Sequence, residues 1–169
     1  MRTAKKAAFA LGLLGVLLLP LGAVGQTGDE AQIRALEDRF VAAVNAKDLD
    51  AIMKVYIGDE SLFVFDLTPP REYVGAVAYR KDWEEFLKGF DGNPKFELSN
   101  LAISASADLA FSHSIQHVSG KDTKGEPIDV TVRVTNAYRK IDGKWLIVHE
   151  HVSVPIDFDT GKPDLASKP

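Results

Sequence analysis

An α+β fold, with three helices laid on one face of a curved and mainly antiparallel sheet, is what three features of this sequence predict. Helical periodicity is confined to the first half of the chain and strand periodicity dominates the second. Two β-rich runs, PIDVTVRVTNAYRK and WLIVHEHVSV, flank Asp142-Gly143, a strong short-range hairpin signal. The composition is globular, with 46% hydrophobic and 26% charged residues in 169, which suits one domain with a core of its own.

The elements follow in order. Arg2, Lys5 and Lys6 precede an apolar run over residues 7–21, which is short of the roughly 20 residues a membrane helix needs. Ala23 and Gly25 then supply the small residues of a cleavage site. Residues 1–25 therefore read as a signal peptide, with mature residues exported to a periplasm or medium; the alternative is an uncleaved membrane anchor. Thr27-Gly28-Asp29-Glu30 has capping-box spacing. Behind it Ile33, Leu36, Phe40 and Val44 recur with helical period, ending near Asn45. Asp48 can cap a short second helix carrying Leu49, Ile52, Met53 and Tyr56, and Gly58 is a stop. Residues 61–67 (SLFVFDL) form a short strand, broken by Pro69-Pro70, and residues 72–75 a second brief one. Ala76, Tyr79, Trp83, Phe86, Leu87 and Phe90 mark a third helix that stops at Gly89 and the Asp91-Gly92-Asn93-Pro94 cluster. Strands over residues 96–105 and 109–119 lead to the hairpin. Residues 26–155 are expected to be the domain. Residues 156–169, rich in Pro, Asp, Lys and Gly, are expected to be a loosely ordered tail.

Several function classes drop out. A net charge of −4 without a basic face gives no pull toward nucleic acid. With no cysteine there is no disulfide, thiolate or lipid-anchored terminus, so after cleavage no membrane attachment is expected. His113 and His117 lie roughly 13 Å apart along a strand and cannot chelate one ion. His149 and His151, about 7 Å apart, lack a third ligand. No metal or cofactor is expected, and no phosphate loop, dinucleotide fingerprint or serine-nucleophile motif is present.

Three segments carry a family resemblance: NAKDLDAIMKVYIGDE, then FVFDLTPPREYVG, then RVTNAYRKIDGKWLIVHEHVS. With this layout they resemble the NTF2-like superfamily, in particular SnoaL-like and ketosteroid-isomerase-like proteins. The last segment is also similar to the association domain of calmodulin-dependent kinase II. The resemblance covers residues 29–154. It implies a cone, with the helices on the concave face of the sheet and a cavity at its open end. It implies pairing as a homodimer through the outer sheet face. By the same resemblance Asp66 matches the isomerase base and Tyr56 a pocket tyrosine. The oxyanion tyrosine falls at Phe40, which has no hydroxyl. The second oxyanion acid falls at Thr135 or Asn136. Steroid isomerisation is therefore not implied. The arginines that line the kinase association domain's pocket fall at His113, Asn136 and Val152.

Hairpin register decides which face meets the helices. A two-residue turn and a three-residue loop with Gly143 in a bulge both fit, and we favour the second. One face then carries Val130, Val132, Val134, Asn136, Tyr138, Leu146, Val148, Glu150 and Val152. The other carries Thr131, Arg133, Thr135, Arg139, Trp145, Ile147, His149 and His151. The first is nearly all apolar and should face the helices, with Glu150 as an isolated buried acid of raised pKa. The rival pocket is Arg133, Thr135 and His149. Asp66, His113 and Glu150 are the candidate catalytic groups, with Asp66 as base, set against turn-capping and structural roles. Tyr56, Trp83 and Asn136 are the candidate ligand contacts, set against plain core packing. The expected activity is binding of a small, partly apolar molecule. The alternatives are an isomerase- or lyase-type proton abstraction and a structural dimer whose cavity is filled.

Overall fold

A computed structural model of the protein describes residues 24–167. The expected signal peptide lies, up to Ala23, outside the described residues. No helix among the described residues is long and apolar enough to cross a membrane. The elements are α1 (Val24–Asn45), α2 (Leu49–Met53), β1 (Phe63–Phe65), β2 (Tyr73–Val74), α3 (Ala76–Lys88), β3 (Lys95–Ser106), β4 (Leu109–Lys121), β5 (Pro127–Ile141) and β6 (Lys144–Ser153). The six strands form one sheet in the order β2-β1-β6-β5-β4-β3, antiparallel except where β1 runs parallel to β6.

Helical spacing builds the layer that covers this sheet. On α1, Ile33, Leu36, Phe40 and Val44 are all buried, one apolar stripe of a 3.6-residue period. Each such side chain contributes roughly 1.5–3 kcal/mol by leaving water. Phe40 meets Tyr56, Trp83 and Phe96 edge-on, with ring centroids 6.2, 5.4 and 5.6 Å away. That geometry adds attraction between ring edge and ring face. The helix starts at Val24, upstream of the expected capping box. Asp29 instead takes a proton donor from each strand of the hairpin, Lys140 Nζ at 2.6 Å and Trp145 Nε1 at 3.1 Å. Asp48 caps α2 as expected, accepting from Ala51 N at 2.9 Å.

Gly75 precedes α3 with φ +85°, a backbone state that a side chain disfavours. A Cβ there would also lie 2.5 Å from Glu60 Oε2. Because the carboxylate is mobile, the dihedral dominates the cost. Gly75→Ala should destabilise the fold by about 1–2 kcal/mol, read as a lower urea midpoint with an unchanged slope.

The hairpin corrects one expectation and explains another. Asp142 and Gly143 both have positive φ, +49° and +76°, and Ile141 pairs with Lys144. This is the two-residue turn, in which both central residues take left-handed dihedrals. Its register carries Trp145 and Ile147 inward, and they are 4% and 0% exposed. The pairing then shifts: Tyr138 faces Ile147, but Ala137 faces His149. Val148 is an extra residue in β6, a bulge that flips the parity of everything beyond it. Hence Glu150 and Asn136 pair and both are buried, as expected. The one-residue offset comes from this bulge and not from the loop, so the outward assignment of Trp145 and Ile147 is overturned. A second shift, between Ser99 and Ala102, interrupts β3. Bulges bend and twist the strands that carry them, and these two help wrap the sheet around the helices.

The tail, expected to be loose, folds back on itself. Ile156 bridges Pro163, Asp164 N donates to Pro155 O, and Leu165 O accepts from Thr131 N at 2.8 Å. That last bond satisfies β5 beyond the end of β6 and places the tail beside the open end of the cone.

Candidate functional site

A cavity of about 320 Å³ opens between α3 and the concave side of the sheet. Strand alternation decides what lines it. Val64 pairs with Glu150 in the parallel register, so both side chains share the inner face. Asp66, two residues beyond Val64, comes to that face as well. From α3 come Tyr79, Asp82, Trp83, Glu85 and Phe86. The strands add Phe96, Gln116, Val118, Val130, Val132 and Val152. An adjoining groove shares residues 66–68 with the cavity and is closed on its far side by Ile156, Pro163 and Leu165 of the tail.

Two carboxyls meet in the wall. Glu150 is 3% exposed. Its Oε1 lies 2.5 Å from Tyr79 Oη, and Tyr56 Oη donates to its Oε2 at 3.1 Å. Tyr79 Oη also lies 3.2 Å from Asp66 Oδ2, while Asp66 Oδ1 accepts the Leu67 N–H. Burial pushes the Glu150 carboxyl up to about 8, against the Tyr79 bond that favours its ionised form. Burial raises Asp66 too, with the Asp82 charge adding to it. Both phenols are held well above their ordinary range, by burial first and by Glu150 second.

Proton counting limits how these groups share. Tyr79 has one hydroxyl proton and two carboxyl neighbours. If both were ionised, one would face the lone pairs of the phenol oxygen. A proton on either carboxyl removes the conflict; the deeper burial of Glu150 favours it as the holder, and Glu150 then donates to Tyr79 and Tyr79 to Asp66. The arrangement is a short relay from a buried acid to a carboxylate on the cavity wall. It can hold a charge, and it can move a proton between the wall and the interior.

Of the expected site residues, Asp66, Trp83 and Glu150 line the cavity. Tyr56 stands behind them, bonded to Glu150. Asn136 is drawn elsewhere: its Nδ2 donates to Glu37 Oε1 at 3.1 Å, and Tyr138 donates to the same oxygen. His113 is not brought to the site. It sits exposed on the outer face, opposite Thr135, because the even-numbered residues of β4 face inward. The rival pocket does not form inside the cone either. Thr135 is exposed, and His149 packs against Phe63 and Phe65 with its Nδ1 2.8 Å from Phe63 O. Among the described residues no group of His, Cys, Asp and Glu could hold a metal ion.

Three functional residues escaped the sequence reading. Tyr79 was placed in the helical stripe as core, and its hydroxyl gave no separate signal. Gln116 sits on an inner strand face where its neighbours Ser112 and Ser114 are also polar. Glu37, 1% exposed and raised in pKa by burial, lies between Ile33 and Phe40 at i+4 and i−3. That spacing puts an acid within the apolar stripe and was a usable sign.

The comparisons agree with this architecture. Residues 33–157 match the family model described as a SnoaL-like domain. An NTF2-like protein of unknown function from Pseudomonas putida KT2440 is 32% identical, with 86% of this chain and 100% of that one covered and a TM-score of 0.76. An NTF2-like superfamily protein from Salmonella enterica is 16% identical, with 82% and 99% covered and a TM-score of 0.71. A protein assigned as a calcium/calmodulin-dependent protein kinase II association domain, from Xanthomonas campestris, is 24% identical, with 72% and 84% covered and a TM-score of 0.62. None of the curated proteins compared with the chain matches it. A match over most of the domain, with the same curved sheet and three helices, makes the chain a member of the SnoaL-like family within the NTF2-like superfamily.

Proposed function

We propose that the chain is an exported protein that binds a small, partly apolar molecule in the cone cavity and pairs as a homodimer through its outer sheet face. The observation that carries the reading is a chamber of about 320 Å³ whose wall is mostly aliphatic and aromatic but holds four carboxyls, two of them joined through Tyr79. That is the usual make-up of a small-molecule site. Phe40, Trp83 and Phe86 pack against one another or their neighbours without plugging it. Pairing is supported by Leu109 and Phe111, 55% and 52% exposed on the outer face of β4. Export is supported by the basic start and apolar run of the N-terminus.

The test is native mass spectrometry of the purified protein, followed by thermal shift against a broad panel of small apolar metabolites. A retained mass that denaturation releases, or a rise of several degrees with one chemical class, is the expected result. No retained mass and no shift across the panel would contradict the reading.

A second reading is favoured by one specific arrangement. Asp66 faces the cavity with a raised pKa and is joined through Tyr79 to Glu150. Such a carboxylate can act as a general base in a proton abstraction, holding the proton itself while Tyr79 and Glu150 orient it. Oxyanion donors at the isomerase positions do not support steroid isomerisation, since Phe40 has no hydroxyl and Asn136 is bonded to Glu37.

A further inference from the structure

The charges around the cavity are one-sided. Asp66, Asp82, Glu85 and Glu150 line it, and no Lys, Arg or His is among its described lining residues. Glu85 is turned to Lys88 and so is compensated at the surface. The other three have only uncharged partners: Tyr79 and a backbone N–H for Asp66, Tyr73 for Asp82, and two tyrosines for Glu150. Elsewhere the chain does pair its acids with cations, as Asp29 with Lys140 and Asp50 with Arg80 show. Glu37, bonded to Asn136 and Tyr138, also lacks a cation, but three such acids gather at the cavity.

A separate observation points to the same absent occupant. Gln116 is 7% exposed and lines the cavity, yet its Nε2 has no hydrogen-bond partner. Nε2 is a donor, so leaving it unpaired is costly unless the occupant brings an acceptor oxygen or nitrogen to meet it. Tyr79, Trp83, Phe86 and Phe96 add aromatic rings to the wall. Aromatic faces attract cations and pack against apolar bodies equally well.

Resting on the binding reading above, we propose that the occupant is an organic cation: a protonated amine on a mainly apolar skeleton that also carries one hydrogen-bond acceptor, its ammonium directed to Asp66 and Asp82, the acceptor to Gln116, and its body lying between α3 and the inner face of the sheet. An anion would meet the Asp66 and Asp82 carboxylates with no cation among the described lining residues to offset them. A neutral molecule would leave Asp66 and Asp82 without a counter-charge.

The test uses three probes with one skeleton: 1-naphthylmethylamine, 1-naphthalenemethanol and 1-naphthoate, titrated by calorimetry at neutral pH. The amine is expected to bind about tenfold tighter than the alcohol or better, with the carboxylate weakest. In Asp82→Asn, a half-buried change on α3 that leaves an acceptor for Tyr73 and whose folding is checked by its melting temperature, the amine-to-alcohol ratio should fall about threefold or more. An alcohol or carboxylate that binds as tightly as the amine, or a ratio unmoved in Asp82→Asn, overturns the cation proposal and leaves the pocket reading standing. Failure of all three probes to bind up to about millimolar concentration overturns both.

Discussion

Glu150→Gln is expected to make the protein more stable at neutral and mildly alkaline pH, although it alters a fully buried, hydrogen-bonded side chain. The folded-state pKa of Glu150 is about 8, above the ordinary 4.5, and burial is the main cause. Between those two values the unfolded chain has lost this proton and the folded chain keeps it. Folding therefore takes up a proton in that window, and stability falls as pH rises through it, by at most about 1.4 kcal/mol per pH unit from this group. Below 4.5 both states are protonated and the contribution is fully present. Above about 8 both are ionised and the loss is complete. Glutamine keeps the shape, donates to Tyr79, accepts from Tyr56 and does not titrate. Urea unfolding at pH 8 should show the variant more stable by about 1–3 kcal/mol, with little or no gain near pH 4.5. Glu37 and Asp66 are raised in the same sense, so part of the pH slope should survive in the variant. A variant that is less stable than the parent at every pH would mean that Glu150 is ionised and stabilised by its partners.

Tyr79→Phe should have the opposite sign and a similar size. The change removes one oxygen that lies 2.5 Å from Glu150 and 3.2 Å from Asp66. Both carboxyls are then left short of a partner in a site where water is scarce, at a cost of about 2–3 kcal/mol. The ring itself remains packed edge-on against Tyr56, with centroids 5.3 Å apart. The Tyr79 bond lowers the Glu150 pKa, so its loss should move the Glu150 titration further upward. The two residues share one hydrogen bond, and their effects should not add. The double variant Tyr79→Phe/Glu150→Gln should show a coupling of about 1 kcal/mol in a thermodynamic cycle. Additive effects would separate Tyr79 from the carboxyl pair.

The chain shows which features of a fold are written locally. The α1 stripe, the Asp48 cap, the glycine stop after α3 and the Asp-Gly turn each depend on a few neighbouring residues, and each was legible. So was Asp66, at the end of a short strand. Glu150 was legible as an inward acid only because two effects cancelled: the loop is shorter than expected, and the bulge at Val148 restores the parity. Nothing in the run WLIVHEHVS marks Val148 as the extra residue, so Trp145 and Ile147 were assigned to the wrong face. β4 misleads in another way. Its outer face carries Leu109, Phe111 and Ile115, and its inner face carries Ser112, Ser114 and Gln116. Here the apolar side is the outer one, so hydrophobic alternation could not place His113. The polar residues are inside because this part of the sheet lines a cavity and a buried network, including the Ser112–Tyr138 bond at 2.7 Å, and not a dry core. The junction of Asp66, Tyr79 and Glu150 joins three elements far apart in sequence. Only the parallel pairing of β1 with β6 brings it together, and no local pattern announces that pairing.

Carbon-13 NMR titration of the Asp66 and Glu150 carboxyls in the ligand-free protein tests the shared-proton wall most directly. The account predicts that Glu150 titrates with a midpoint near 8 and Asp66 above its ordinary 3.8, the two responding to each other through Tyr79. Ordinary, independent midpoints below about 5 for both carboxyls would contradict it.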